Sequence, residues 1–242
     1  MTVVLSGVAA DTTNVRPTPA VDEDGGFDYV PIPERSREAT VETETYGSWE
    51  VRDGVAADHV DVVRPRGDGS LVVRGEDVRG WPLHHDPNFE ALTYGERRPA
   101  YTSLLRELDP GDAVVFYTGL RSGGRRHRYV IGYLEVDRVV DVAALDRDDA
   151  VAALESRPEN AHSKRYAATG EVDSVLVVVD GARGRSFERA RRVSRRRNGG
   201  HYYLDRVLAS EWGAGDDVYL GGVKQAHSFD VDVDRFLASL AV

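Results

Sequence analysis

The groups best suited to chemistry are few and scattered. Seven histidines stand in the chain, His59, His84, His85, His127, His162, His201 and His227, and there is no cysteine. Without cysteine there is no disulfide, no thiolate zinc site and no thiol nucleophile. No histidine lies at HxxxH or HExxH spacing, which argues against a zinc site carried on one helix. Two short runs stand out. In the first, His84 and Asp86 lie between Pro82 and Pro87, so a stiff loop could hold an imidazole base beside a carboxylate that orients it. The plainer reading is a histidine that caps a turn. In the second, Asn160, His162, Lys164 and Arg165 follow the helix-stopping Pro158. An amide, an imidazole and two cations so close together can orient a phosphate or a base edge; they make an ordinary hydrophilic loop equally well.

Other stretches carry weaker signals. Lys224 follows Gly221 and Gly222, which would let a ligand approach the backbone closely, and it is one of only two lysines. Residues 183–197 hold eight arginines against the single acid Glu188. They read as a contact for nucleic-acid phosphates or an acidic partner, or as a solvated loop or an internal partner for surplus carboxylates. Asp11, Asp28 and Glu34 could meet around a divalent ion, although solvation is the default for acids in so acidic a chain. No P-loop, GxGxxG, GxSxG or kinase signature is present, so no cofactor is assigned.

These residues must be positioned by something, and the firmest element is a hairpin over 109–136. Its strands, 113–118 and 129–136, are rich in β-branched and aromatic residues and flank Gly123-Gly124. Asp109-Pro110-Gly111-Asp112 supplies a turn in front. Its tip, with Arg121, Arg125, Arg126 and Arg128, is basic. Further strands are expected at 2–5, 60–63, 71–74, 139–142, 174–179 and 217–220, and helices at 102–108, 148–156, 201–210 and 234–240. Residues 6–34 carry four prolines and little periodicity, as an ordered loop laid over a core does. No strand–helix alternation recurs, so the fold class is α+β, a mixed, partly closed β-barrel-like sheet with three or four peripheral helices. The 242 residues read as one domain, its first 50 or so residues an extended segment packed on the rest.

The charge narrows the setting. There are 41 acidic against 31 basic residues, a net charge of −10, and the pI is about 5.2. Aspartate outnumbers glutamate and arginine almost wholly replaces lysine, the balance of a protein that stays hydrated in concentrated salt. Salt also weakens phosphate contacts, so a nucleic-acid partner would be held by stacking and hydrogen bonds in a pocket. No apolar run reaches the roughly 18 to 20 residues of a membrane span, and the first residues lack the basic start of a signal peptide. A cytoplasmic, halophilic protein with no membrane partner is expected.

Four segments then resemble a known family: LSGVAADTTNVRPTPAVDEDGGFDYVPIPE at 5–34, LHHDPNFEALTYGERRPAY at 83–101, GDAVVFYTGLR with YVIGYLEV within 111–136, and NAHSKR at 160–165. Together they are similar to the nucleotide modification associated domain family, the third of that name. The most specific parts are Pro31-Ile32-Pro33, His85-Asp86-Pro87, Gly111-Asp112 with Phe116, and Gly132-Tyr133-Leu134. The basic pair that usually follows the family's first serine is missing; Ser6 and Asp11 match the pattern, and Arg16 could replace the pair. The hairpin also resembles barrels of the pseudouridine-synthase-and-archaeosine-transglycosylase type. The resemblance implies recognition or processing of a modified nucleotide or base, free or flipped from DNA, beside DNA-modification proteins. Tyr29, Trp81, Tyr101 and Tyr117 would stack on the base. Ser6, Arg121, Asn160, Lys164, Arg165 and Lys224 would bind its polar edges or phosphate. In the enzymatic alternative, a hydrolase or transferase, Asp11, His84, Asp86 and His162 are the acid–base candidates. A non-catalytic interaction subunit is the third reading.

Overall fold

The computed structural model describes residues 1–11, 13–66, 68–197, 200–221 and 226–240. In chain order its strands begin with β1 (Thr2–Gly7), β2 (Val15–Arg16), β3 (Ile32–Pro33), β4 (Val62–Val63), β5 (Val73–Arg74), β6 (Leu83–His84) and β7 (Thr93–Glu96). They continue with β8 (Ala113–Ser122), β9 (Arg125–Asp141), β10 (Val177–Arg192), β11 (Ser194–Arg196), β12 (Tyr202–Leu204) and β13 (His227–Asp230). The helices are α1 (Ala56–His59), α2 (Pro99–Leu105), α3 (Arg147–Glu155), α4 (Ala161–Thr169), α5 (Arg206–Glu211) and α6 (Val233–Leu240).

Six strands form one curled sheet in the order β13-β1-β8-β9-β10-β7. Only β1 and β8 pair in parallel; the other neighbours are antiparallel. The expected α+β class with a partly closed sheet is what the chain adopts. The hairpin is its centre, with β8 and β9 paired from Ala113–Glu135 to Ser122–Arg125 around Gly123 and Gly124, both at positive φ. Successive side chains leave a strand on opposite faces. Val3, Leu5, Val115 and Tyr117 therefore enter a core with Leu208, Trp212 and Phe236, while Val4, Val114, Phe116 and Ile131 enter a second with Leu105 and Phe27. Both faces are covered, so the start of β8 reads as an unbroken apolar run. Irregularities of β10 against β9 at Gly181 and between Ser186 and Arg191 bend the strand and curl the sheet, as bulges do.

The N-terminal segment is tied down through small pairings: β2 with β4, and β3 with β6. Several sequence expectations are corrected. Residues 160–165 are a helix start and not a loop: Asn160 caps α4 by accepting the His162 N–H at 2.9 Å, and Gly170 ends it at φ 69°. The single helix expected over 201–210 is divided into β12 and α5, because Asp205 accepts the Val207 N–H and starts the helix late. Residues 217–220 form no strand, only the isolated bridge of Tyr219 to Tyr203. Residues 183–197 belong largely to β10 and β11. Two of their arginines serve the chain's own acids, Arg183 with Glu135 and Asp234, and Arg197 with Asp217. Among the described residues no helix is long and apolar enough to cross a membrane.

Gly132 shows why the central sheet constrains its sequence. A Cβ there would lie 2.5 Å from the Arg185 carbonyl oxygen and 2.6 Å from the Phe89 ring, and the first of these cannot rotate away. Gly132→Ala is expected to destabilise the protein by about 1–3 kcal/mol. A thermal melt checks this, and an unchanged midpoint would contradict the packing described.

Candidate functional site

A cleft of about 530 Å³ opens beside β1, β7 and β8. Its floor is built from three separated segments. Pairing of β3 with β6 sets Ile32 opposite His84, and this brings Glu34, just past β3, to His84, with Oε2 3.1 Å from Nδ1. Two residues beyond β6, the Asp86 carboxylate receives the Gly95 N–H of β7 at 3.0 and 3.1 Å. The third segment is α4, whose capped first turn delivers His162. Its Nε2 lies 3.5 Å from Asp86 Oδ2, while His84 Nε2 lies 3.9 Å from the same oxygen. One ligand-capable atom from each of His84, Asp86 and His162 falls within 4.8 Å of the others, and all three residues are buried. Gly95 permits this convergence, since a Cβ at that position would collide with the His162 ring.

The protonation states follow from the surroundings. Glu34 is 1% exposed and its side chain is held by Arg165 at 2.7 Å. Burial works to raise its pKa, but the hydrogen bond and field of His84 and the charge of Arg165 hold it down to about 2. Arg165 Nη2 also comes within 3.2 Å of His84 Nδ1. His84 Nδ1 thus faces both an acceptor, the Glu34 carboxylate, and a donor, the Arg165 guanidinium. Burial pushes Asp86 well above the usual carboxylate range despite the Gly95 hydrogen bond. Burial, followed by the neighbouring cationic groups, pushes His162 well below the usual imidazole value, so it is neutral. Beside them Glu96 is matched by Arg98, whose Nε donates to both carboxylate oxygens at 3.0 and 2.9 Å.

Five arginines line the same cleft. Arg64, Arg66, Arg97, Arg98 and Arg128 all reach the cleft, together with the Tyr101 and Tyr117 rings and the backbone of Gly7–Ala9. Among the described residues Arg64 Nη1 is buried without a hydrogen-bond partner. An unmatched buried donor of this kind costs stability unless something accepts from it.

A family model described as nucleotide modification associated domain 3 matches residues 2–213. The chain belongs to that family. The match spans the sheet's first five strands in sequence and every residue of the cleft floor. No curated protein and no solved structure matches the chain.

In this nucleotide modification associated domain, three of the four acid–base candidates meet: His84, Asp86 and His162. Asp11 lines the same cleft but accepts from the Thr13 N–H at 2.7 Å and its hydroxyl at 2.5 Å. Asp11, Asp28 and Glu34 do not assemble, since Asp28 is taken by Arg52 and Glu34 by His84 and Arg165. Among the binding candidates, Tyr101 lines the cleft under the Arg98 guanidinium, 4.0 Å from its ring centre. Asn160 and Arg165 stand behind the floor: Asn160 donates to Thr93 Oγ1 at 3.0 Å and Arg165 holds Glu34. Ser6 is fully buried below, 2.7 Å from the Tyr94 hydroxyl. Trp81 packs in a separate core with its indole N–H on the Glu34 carbonyl, and Tyr29 donates to the Pro87 carbonyl, neither lining the cleft. Arg121 is exposed near the hairpin end, its N–H on the Pro19 carbonyl. Lys164 pairs with Glu42 and Glu159 at 2.9 and 3.0 Å. Lys224 lies outside the described residues.

Sequence reasoning passed over Tyr94 to Arg98 as a unit. Its signal was a glycine inside a short strand, which marks close approach by another element, followed by an acid and two arginines. The Glu34–Arg165 pair gives a direct check. In Arg165→Met the Glu34 charge stays buried without its cation, a loss of about 3–5 kcal/mol. The melting midpoint should fall by more than about 6 °C; a shift within 1 or 2 °C, roughly what a surface pair gives, would show that the pair does not support the floor.

Proposed function

We propose that this chain processes a nucleotide, holding its phosphate on the cleft arginines while hydrolytic or group-transfer chemistry takes place at His84, Asp86 and His162. The observation that carries the reading is the convergence of these three buried groups in a cleft that five arginines also line. Its volume of about 530 Å³ falls within the roughly 300–1,000 Å³ of small-molecule sites, room for one nucleotide but not for a duplex. Phosphate satisfies guanidinium forks in pairs, and the unmatched Arg64 Nη1 is a donor that such an anion would satisfy. Tyr117 and Tyr101 stand buried in the lining of the same cleft, Tyr101 beneath the Arg98 guanidinium. A neutral imidazole beside a carboxyl group that releases its proton reluctantly is a pair between which a proton can pass. The ligand is therefore a single nucleotide unit, free or turned out of DNA, in keeping with a family associated with nucleotide modification.

Thermal melting in concentrated salt with nucleoside mono- and triphosphates, modified bases and short single-stranded DNA tests binding, and product analysis of the compound that binds tests turnover. A ligand at 100 times its Kd adds about 2.7 kcal/mol of stability. One nucleotide class should raise the midpoint. His162→Gln should then keep the shift while losing turnover by about 10²-fold or more, and Arg64→Ala should weaken binding by about tenfold. If no nucleotide moves the midpoint, or if His162→Gln turns over at the wild-type rate, the reading fails.

A further inference from the structure

The three groups on the cleft floor come from a strand, a loop and a helix turn, and two features of their arrangement go beyond acid–base chemistry. One is charge. Of the buried acids around the floor, Glu34 is paired with Arg165 and Glu96 with Arg98. The ion-pair contacts of Asp86 among the described residues are with the two imidazoles alone. A buried carboxyl group with such partners either keeps its proton or coordinates a cation. The other feature is what stands behind His84. A metal-binding imidazole gives one nitrogen to the ion and the other, as an N–H, to a carboxylate or carbonyl that fixes its orientation. Glu34 stands in that position behind His84 at 3.1 Å, and Arg165 fixes Glu34 in turn.

We infer that His84, Asp86 and His162 bind one divalent first-row transition-metal ion, with its remaining coordination positions open to the cleft. The inference deepens the proposed function, on which it depends only for the use made of the ion. Ligand atoms about 2.1 Å from a metal at near-tetrahedral angles lie about 3.4 Å apart. The separations of 3.5 and 3.9 Å from Asp86 Oδ2 to the two imidazoles are within about 0.5 Å of this, and the two imidazole nitrogens stand within 4.8 Å of each other. His162 suits the role as well: its Nε2 is the atom facing Asp86, and its Nδ1 is buried with no hydrogen-bond partner among the described residues. Two imidazoles and one carboxylate favour zinc, iron, manganese, cobalt or nickel over magnesium and calcium, which prefer oxygen ligands. Three protein ligands leave open positions, the mark of a catalytic rather than a structural ion. Such an ion would polarise a water or a substrate oxygen in the cleft.

The test is a Co²⁺ titration of chelator-stripped protein without nucleotide, followed by visible absorption and by elemental analysis after desalting. One ion per chain is expected. Asp86→Asn, which keeps the shape of the side chain, and His162→Gln should each lower the affinity by at least 100-fold. Glu34→Gln should lower it by about 10- to 100-fold, and His201→Gln, at an exposed histidine, should leave it unchanged. No stoichiometric Co²⁺ in the wild type, or equal binding by Asp86→Asn, overturns the inference; melting curves of each variant without metal show that the comparison is between folded proteins. The outcome separates the two ideas: Co²⁺ bound at these residues with no nucleotide response keeps the ion and removes the nucleotide reading, and the reverse keeps the nucleotide and removes the ion.

Discussion

Asp86 is a carboxylate almost cut off from water, and the surrounding structure answers to that constraint. Removing a carboxylate from water costs several kcal/mol even after the protein relaxes, so its immediate neighbours must compensate. The Gly95 N–H reaches both oxygens, which requires β7 to run alongside; β7 is in turn held at the sheet edge by β10. Two imidazoles close the remaining approaches. Each is fixed from behind, His84 by Glu34 and Arg165, His162 by the Asn160 cap of α4. Removing any of these supports exposes the same weakness, a charge with too few partners.

The large sheet stands apart from this chemistry and makes it possible. Its two covered faces give a rigid scaffold, while the functional groups lie on short segments at its margin: β3, β6, the stretch after β6, β7 and the start of α4. Groups held on packed elements keep their geometry better than groups on free loops. The small β3–β6 pairing, only two residues on each side, matters out of proportion to its length, because it joins the N-terminal segment to the cleft floor. Arginines gathered in one cleft let a chain of net charge −10 offer local donors to an anion.

Much of the fold could be read from the residues. The hairpin was legible because β-branched runs around Gly123-Gly124 have few other solutions, and the apolar start of β8 announced a strand buried on both faces. His84, Asp86 and His162 were each legible as reactive types in stiff surroundings. That they meet was not, since their contact depends on a two-residue strand pairing and on Gly95, 61 residues or more from the resemblance's opening motif. Asn160 to Arg165 looked like a loop because its cations and small residues hide a helix whose cap is Asn160. Tyr101 lines the cleft beneath Arg98, while Trp81 packs in a separate core: an aromatic ring's type does not say which cavity it fills. The roles of Glu34 and Arg165 were obscured for the same reason, since a supporting ion pair between residues 131 positions apart leaves no local trace.

The most direct measurement is a diffraction experiment on crystals grown with Co²⁺ and a slowly reacting nucleotide analogue, with data collected at the cobalt edge. A single anomalous peak between His84, Asp86 and His162, with the analogue's phosphate on the Arg64 side of the cleft, is the predicted result. Nucleotide density elsewhere, with the space between these three side chains closed by direct contact among them, would contradict the account.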